Sequence, residues 1–275
     1  MLAEQVTDAL AHHGEGPVWD ARHGTLYWLD MLRGDVLSLD GRRRHLGEVA
    51  ACIAPRRDGG FVVAIERSFL LVDDDWQPAP IEPVVVWDDP SVRMNEGACD
   101  PSGRFWCGSM DFDARPNRGA LYCLDTDLTV RRVFDDITIS NGLEWTADGT
   151  RAYYIDSPTQ RVDVCPPDLS SREPFVEIPT EAGLPDGLAL DAEGGVWVAL
   201  WGGSAVHRYG PDGRLDAVVE LPVRQPTSCA FGGPDLDTLY ITTSAQDLAD
   251  PEPAAGALFA VRPGVRGLPV REFAR

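Results

Sequence analysis

Asn141-Gly-Leu-Glu-Trp-Thr-Ala-Asp-Gly149, followed by Ala152-Tyr-Tyr-Ile-Asp156, is the stretch on which the fold turns. An amide opens a short apolar run, Ala-Asp-Gly marks a tight turn, and an aromatic, β-branched run returns from it. This reads as two antiparallel strands joined by a hairpin. The pattern recurs. Glu15-Gly-Pro-Val-Trp-Asp20 leads to Gly24 and Leu26-Tyr-Trp-Leu-Asp30, and Asn95-Glu-Gly-Ala-Cys-Asp100 leads to Gly103 and Phe105-Trp-Cys-Gly108. Asp186-Gly-Leu-Ala-Leu-Asp191 leads to Gly194 and Val196-Trp-Val-Ala-Leu200. Weaker copies are marked by Gly59 before Phe61-Val-Val-Ala-Ile65 and by Asp237 before Leu239-Tyr-Ile-Thr-Thr243. Successive turn landmarks lie 35, 44, 46, 45 and 43 residues apart.

Repeats of about 40–50 residues holding about four strands each mark the blades of a propeller. Six of them occupy essentially all 275 residues. The chain is therefore expected to be all-β, a six-bladed β-propeller of four-stranded antiparallel blades, with one domain over 1–275. In the fifth repeat, strands are expected from the innermost outward at 186–191, 196–200, 205–209 and 215–221. The 27 Gly and 22 Pro punctuate the chain too densely for a helical solenoid of the same period.

Forty-four acidic residues against 24 basic ones give a formal net charge of −20. Such a chain repels nucleic acids and anionic membranes, so neither is expected as a partner. Every basic residue is arginine, and the absence of lysine excludes Schiff-base chemistry, pyridoxal phosphate attachment and a Walker-type phosphate loop. No basic region followed by an apolar core opens the chain, and no run of 18 apolar residues occurs. Six cysteines without a paired C-x-x-C spacing are expected to be reduced core thiols, consistent with a cytoplasmic location. A monomer is favoured.

In a propeller the innermost strands line a central channel, and their first residues gather at one mouth. Aligned on the turns, those positions are Glu15, Ala51, Asn95, Asn141, Asp186 and Thr227. Two carboxylates and two carboxamides recur at one phase of the repeat, which turn formation alone does not require. Converging carboxylates repel in a partly desolvated channel, and a divalent cation removes the difficulty. All-oxygen ligation suits Ca²⁺, Mg²⁺ or Mn²⁺ better than a zinc site built from His and Cys. His12 and His13, which precede the first strand without metal-motif spacing, are expected to lie outside the site. Arg93 and Asn95 alternate, so in an extended strand both address the mouth, where a guanidinium can hold a carboxyl or hydroxyls. The loop Asp111-Phe-Asp-Ala-Arg-Pro-Asn-Arg118 is long enough to fold over it. Ser109, Ser140 and Ser228 lack a nucleophile elbow. Tryptophans at 19, 28, 106, 145 and 197 fall on strands as packing residues.

These phrases carry a resemblance. Gly14-Glu-Gly-Pro-Val-Trp19, Arg93-Met-Asn-Glu-Gly97, Gly119-Ala-Leu-Tyr122, Ile139-Ser-Asn-Gly-Leu143, Tyr153-Tyr-Ile-Asp-Ser157, Pro185-Asp-Gly-Leu188, Asp191-Ala-Glu-Gly194 and Thr227-Ser-Cys-Ala-Phe-Gly-Gly233 run in order along the chain. Together they resemble the SMP-30/gluconolactonase/luciferin-regenerating family, which includes regucalcin and bacterial sugar lactonases. The resemblance implies a six-bladed propeller with one divalent ion (Ca²⁺, Zn²⁺, Mn²⁺ or Mg²⁺) held by Glu15, Asn141 and Asp186. It implies substrate contacts from Arg93 and Asn95, and Asp113 where family members often carry a glutamate, with Asp111 nearby. The implied activity is hydrolysis of a sugar lactone, a carboxylic ester hydrolase reaction with Asp186 as general acid and base. Two readings compete with it: a phosphotriester or aromatic-lactone hydrolase on the same propeller, and a non-catalytic calcium-binding propeller.

Overall fold

The computed structural model describes residues 1–79 and 84–275 and is a six-bladed β-propeller. Among the described residues, 24 strands form six antiparallel sheets of four, five of them meanders of consecutive strands. The innermost strands are Gly14–Asp20, Ala50–Pro55, Val92–Cys99, Ser140–Trp145, Leu184–Leu190 and Pro226–Gly232. Each packs against the inner strands on either side, and the sixth returns to the first, so the ring closes. In the fifth blade the strands are Leu184–Leu190, Val196–Trp201, Ala205–Tyr209 and Leu215–Glu220, within two residues of expectation.

Burial explains why the strands within each blade read as short apolar runs while the outermost strands are polar. The strand Phe105–Asp111 is buried along its whole length, because blades cover both of its faces. The outer strand Val130–Ile137 has only its last residue fully buried. Trp28, Trp106, Trp145 and Trp197 are among the largest fully buried side chains, and Trp106 meets Trp145 with ring centroids 5.8 Å apart. The aspartates that end the repeated phrases build the turns. Asp191 Oδ1 accepts the backbone N–H groups of Glu193 and Gly195, and its Oδ2 accepts from Trp197 Nε1 and Arg208 Nε. Asp100 treats Ser102, Arg104 and Trp106 in the same manner.

The two chain ends finish the ring. The strand Glu4–Gln5 supplies the outer edge of the sixth blade by pairing with Phe259–Val261. The last residues cross the face bearing those turns. Ala192 N–H donates to Arg266 O, Gly267 N–H to Leu236 O, Phe273 N–H to Pro55 O and Ala274 N–H to Gly103 O. Leu268 and Arg271 of this strap line one end of the central cavity. Among the described residues no helix is long and apolar enough to cross a membrane.

Candidate functional site

All six inner strands break register near their first residues, between Glu15 and Val18, Ala50 and Cys52, Met94 and Gly97, Ser140 and Leu143, Pro185 and Leu188, and Pro226 and Cys229. A bulge re-aims the side chain it carries. Repeated six times around a ring, it turns Glu15, Asn95, Asn141, Asp186 and Thr227 toward the axis at the end away from the strap. Each is buried.

Hydrogen bonds join the amides and the guanidinium. Arg93 Nη1 donates to Asn95 Oδ1 at 2.6 Å, as expected for residues two apart on a strand. Asn95 Nδ2 donates to Asn141 Oδ1 at 2.9 Å and to Ser140 O at 2.8 Å. Asn141 Nδ2 donates to Ser157 Oγ at 2.7 Å. Arg93 also donates to Met94 O at 3.0 Å, while its Nε has no partner. Glu15 Oε2 accepts from Gly16 N–H at 3.1 Å.

The charges do not balance. Glu15, Asp186 and Glu96 are three buried carboxylates, and the one guanidinium near them, that of Arg93, acts on Glu15 and Asp186 but not on Glu96. Burial lifts the Glu15 carboxyl to about 7, against the pull of Gly16 N–H and Arg93. Burial, and then the charges of Glu15 and Glu96, push Asp186 well above the carboxylate range. Burial and Glu15 do the same to Glu96, whose Oε1 accepts from Ser228 Oγ at 3.0 Å and whose Oε2 has no partner. Burial draws Arg93 down to about 10 even with Glu15 and Asp186 beside it. Oxygen donors with excess negative charge fit a hard divalent cation. The cage is not one of clustered acids: among the described residues no three His, Cys, Asp or Glu side chains converge on one point, so an amide such as Asn141 must complete any donor set.

The other expected residues are not joined to this network. Asp113 is exposed on the turn after the strand Phe105–Asp111, and among the described residues its carboxylate makes no hydrogen bond or ion pair. Asp111 is committed to that turn: Arg115 grips both its oxygens and holds its carboxyl near 2. The loop does reach the mouth, but through Phe112, whose ring lies 5.7 Å from the Arg93 guanidinium carbon. Ala51 brings no polar group to the ring, and Thr227 Oγ1 is spent on Gly14 O and Thr242.

Two neighbours were not foreseen. Glu96 follows Asn95 in the same bulge, and only the bulge directs both side chains inward. His13, expected outside the site, has its Nε2 4.0 Å from Glu15 Oε1. The pairing of His13 with Ser244 across the ring seam carries it there, and no local motif signals that. Burial, with Arg93 and His12 nearby, lowers its imidazole to about 3, so it is neutral. Beneath the site a cavity of about 110 Å³, lined in part by Glu96, Ser228 and Leu188, ends on Leu268 and Arg271 of the strap.

Fold and site define a class: a six-bladed propeller with buried acids and amides gathered at one end of its inner strands. Residues 13–245 match the model of the "SMP-30/Gluconolactonase/LRE-like region", and the chain belongs to that family. It is 37% identical to regucalcin of Danio rerio over 276 residues, covering 93% of this chain and 92% of the relative. YvrE of Bacillus subtilis, named as a proposed sugar lactone lactonase, is 34% identical over 93% of this chain and 92% of its own length. The crystal structure of a calcium-binding protein, regucalcin, from Agrobacterium tumefaciens superposes with a TM-score of 0.90 at 28% identity, covering 99% of this chain and 97% of the other.

Proposed function

We propose that this protein hydrolyses a sugar lactone to the open-chain acid, with one divalent cation held by Glu15, Asn141 and Asp186. The observation that carries the reading is the uncompensated charge: three buried carboxylates against one guanidinium at one end of the inner strands. The likeness to a protein named for lactone hydrolysis supports the reaction class. A bound cation supplies Lewis acidity toward the lactone carbonyl and the charge that develops on its oxygen.

The chain's own groups divide the remaining work. Arg93 supplies donors to substrate hydroxyls and Asn95, 2.6 Å from it, an acceptor oxygen, with Ser140 O and Asn141 Oδ1 taking the two Asn95 amide hydrogens and fixing its orientation. Asp113, beside Phe112, is assigned to the outer hydroxyls of the substrate. Asp186 takes a proton from the attacking water as its oxygen bonds to the carbonyl carbon. The ring C–O bond then breaks, and Asp186 returns that proton to the departing hydroxyl.

Asp186→Ala is expected to abolish stoichiometric cation binding and to lower turnover by about 10²–10⁴-fold or more. The assay is acid release from gluconolactone, galactonolactone, xylonolactone and arabinolactone with a pH indicator, with and without chelator, against the spontaneous rate. Near-normal turnover of this variant, or activity indifferent to chelation, would sink the proposal. A calcium-binding propeller without turnover is favoured by the same buried charge and by the calcium-binding Agrobacterium relative. Tight Ca²⁺ binding with no acid release on any lactone would select it.

A further inference from the structure

We propose that Phe112 determines specificity at this site, and that the lactone it selects is a deoxy-sugar lactone, with a methyl group where other aldonolactones carry a terminal hydroxymethyl. The inference deepens the lactonase reading and rests on it. Its starting point is a position shared by three blades. In the first, third and fourth, the second strand ends on an aspartate paired with the first residue of the innermost strand: Asp30 with Gly14, Asp111 with Val92 and Asp156 with Ser140. The residue that follows is Met31, Phe112 or Ser157, and each meets a group of the site. Met31 Sδ lies 3.2 Å from Arg93 Nη1, and Ser157 Oγ accepts from Asn141 Nδ2 at 2.7 Å. The Phe112 ring lies 5.7 Å from the Arg93 guanidinium carbon. Met31 and Ser157 are wholly buried, whereas Phe112 is 46% exposed. An isolated exposed aromatic needs no ligand to explain it. This one occupies a position that serves the site in two other blades.

The turn is held too firmly for the ring to fold away. Phe112 N–H donates to Ser91 O at 2.9 Å. Asp113 N–H donates to Asp111 Oδ1 and Ala114 N–H to Asp111 O, both at 2.9 Å. Arg115 grips the same carboxylate, and Asn117 N–H ties the far side of the loop to Thr138 Oγ1 at 3.2 Å. On Arg93, Nη1 is taken up by Asn95, Met94 and Met31, while Nη2 makes no hydrogen bond among the described residues. Nη2 is therefore the donor left for a substrate hydroxyl, and the carbon chain beyond that hydroxyl runs along the Phe112 ring. An apolar carbon gains there by covering the ring's exposed surface. A hydroxyl in the same place gives up water and finds no partner on the ring. Asp113, exposed on the same turn, is left for the hydroxyl next to the methyl group. The preferred lactone is thus polar toward Arg93 and Asn95 and apolar at its outer end.

The alternatives differ by a single oxygen, so the test uses matched pairs: rhamnonolactone against mannonolactone and fuconolactone against galactonolactone, each pair of one configuration. Gluconolactone, xylonolactone and arabinolactone are run beside them. Acid release gives kcat and KM for the cation-loaded wild type, Phe112→Ala and Phe112→Ser. Wild type is expected to favour the deoxy member of a pair by about 5- to 20-fold in kcat/KM. Both variants are expected to bring that ratio within about twofold, through a higher KM for the deoxy lactone and little change in kcat. No preference in wild type overturns the assignment, and so does a preference that survives both substitutions. Turnover confined to the three unpaired lactones also overturns it and leaves the lactonase reading standing. No turnover on any lactone brings down both readings.

Discussion

At Asp191 and at Asp186, five residues apart, the same side chain meets opposite surroundings. Asp191 is buried, which alone would raise its carboxyl, but hydrogen bonds from Arg208, Gly195 and Trp197 overcome that and lower it. Asp186 has no such donors, and burial with two acids nearby raises it. The linkage follows for Asp191. A carboxyl depressed in the fold contributes stability that is fully present above its unfolded value near 3.8 and is lost as pH falls through its folded value. Asp191→Asn is therefore expected to cost about 2–3 kcal/mol at pH 7, and the cost should shrink below about pH 4. Urea unfolding of both proteins at pH 7 and pH 3 checks this, and a cost that stayed constant with pH would refute it. Both aspartates were legible in the sequence as members of a repeated phrase. Their opposite fates depend on Arg208 and Glu15, which the phrase does not contain.

Two elements set the shape of the site. The first is the bulge shared by the inner strands, which lets neighbouring residues such as Asn95 and Glu96 both turn inward. Strict alternation would have sent Glu96 to the other face. Strand positions were legible because short buried runs alternate with turn residues. The bulge was not, since nothing in a run of apolar residues marks where the ladder skips. The second element is the C-terminal strap. Phe273 is fully buried in the cluster formed by the second and third blades, and its backbone bonds to Pro55 and Arg57. Arg271 donates to Glu144 Oε1, Trp145 O and Thr146 O at 2.7–3.0 Å. Phe273→Ala is expected to cost about 3–5 kcal/mol, measured by denaturant unfolding. A loss below about 1 kcal/mol would show the strap to be loosely held.

Across the whole molecule, ring closure joins residues that are distant in the chain. His13 bonds to Ser244, 231 residues away, and Ser228 to Glu96, 132 residues away. The N-terminal strand completes the sixth blade and covers an edge that would otherwise be open. All six cysteines are free and buried, as the sequence reading expected, and burial pushes the Cys107 and Cys229 thiols up. A thiol reagent should therefore modify none of the six in the native protein and all six in denaturant. Rapid labelling of any one at neutral pH would show a blade that opens.

The sequence by itself determined the number of blades, the strand order within them and the phase at which polar residues recur, because these depend on local patterns of burial and turning. It also brought Glu15, Asn141, Asp186, Arg93 and Asn95 forward as candidates. Tertiary structure alone decided which side chains share the mouth, since only the closed ring sets His13 beside Glu15 and Glu96 within reach of Asp186. It also put Phe112, next to Asp113 on the exposed turn, over Arg93. Hydrogen-bond partners, dielectric and like-charge repulsion are properties of that enclosure, and no stretch of chain carries them before the ring has closed.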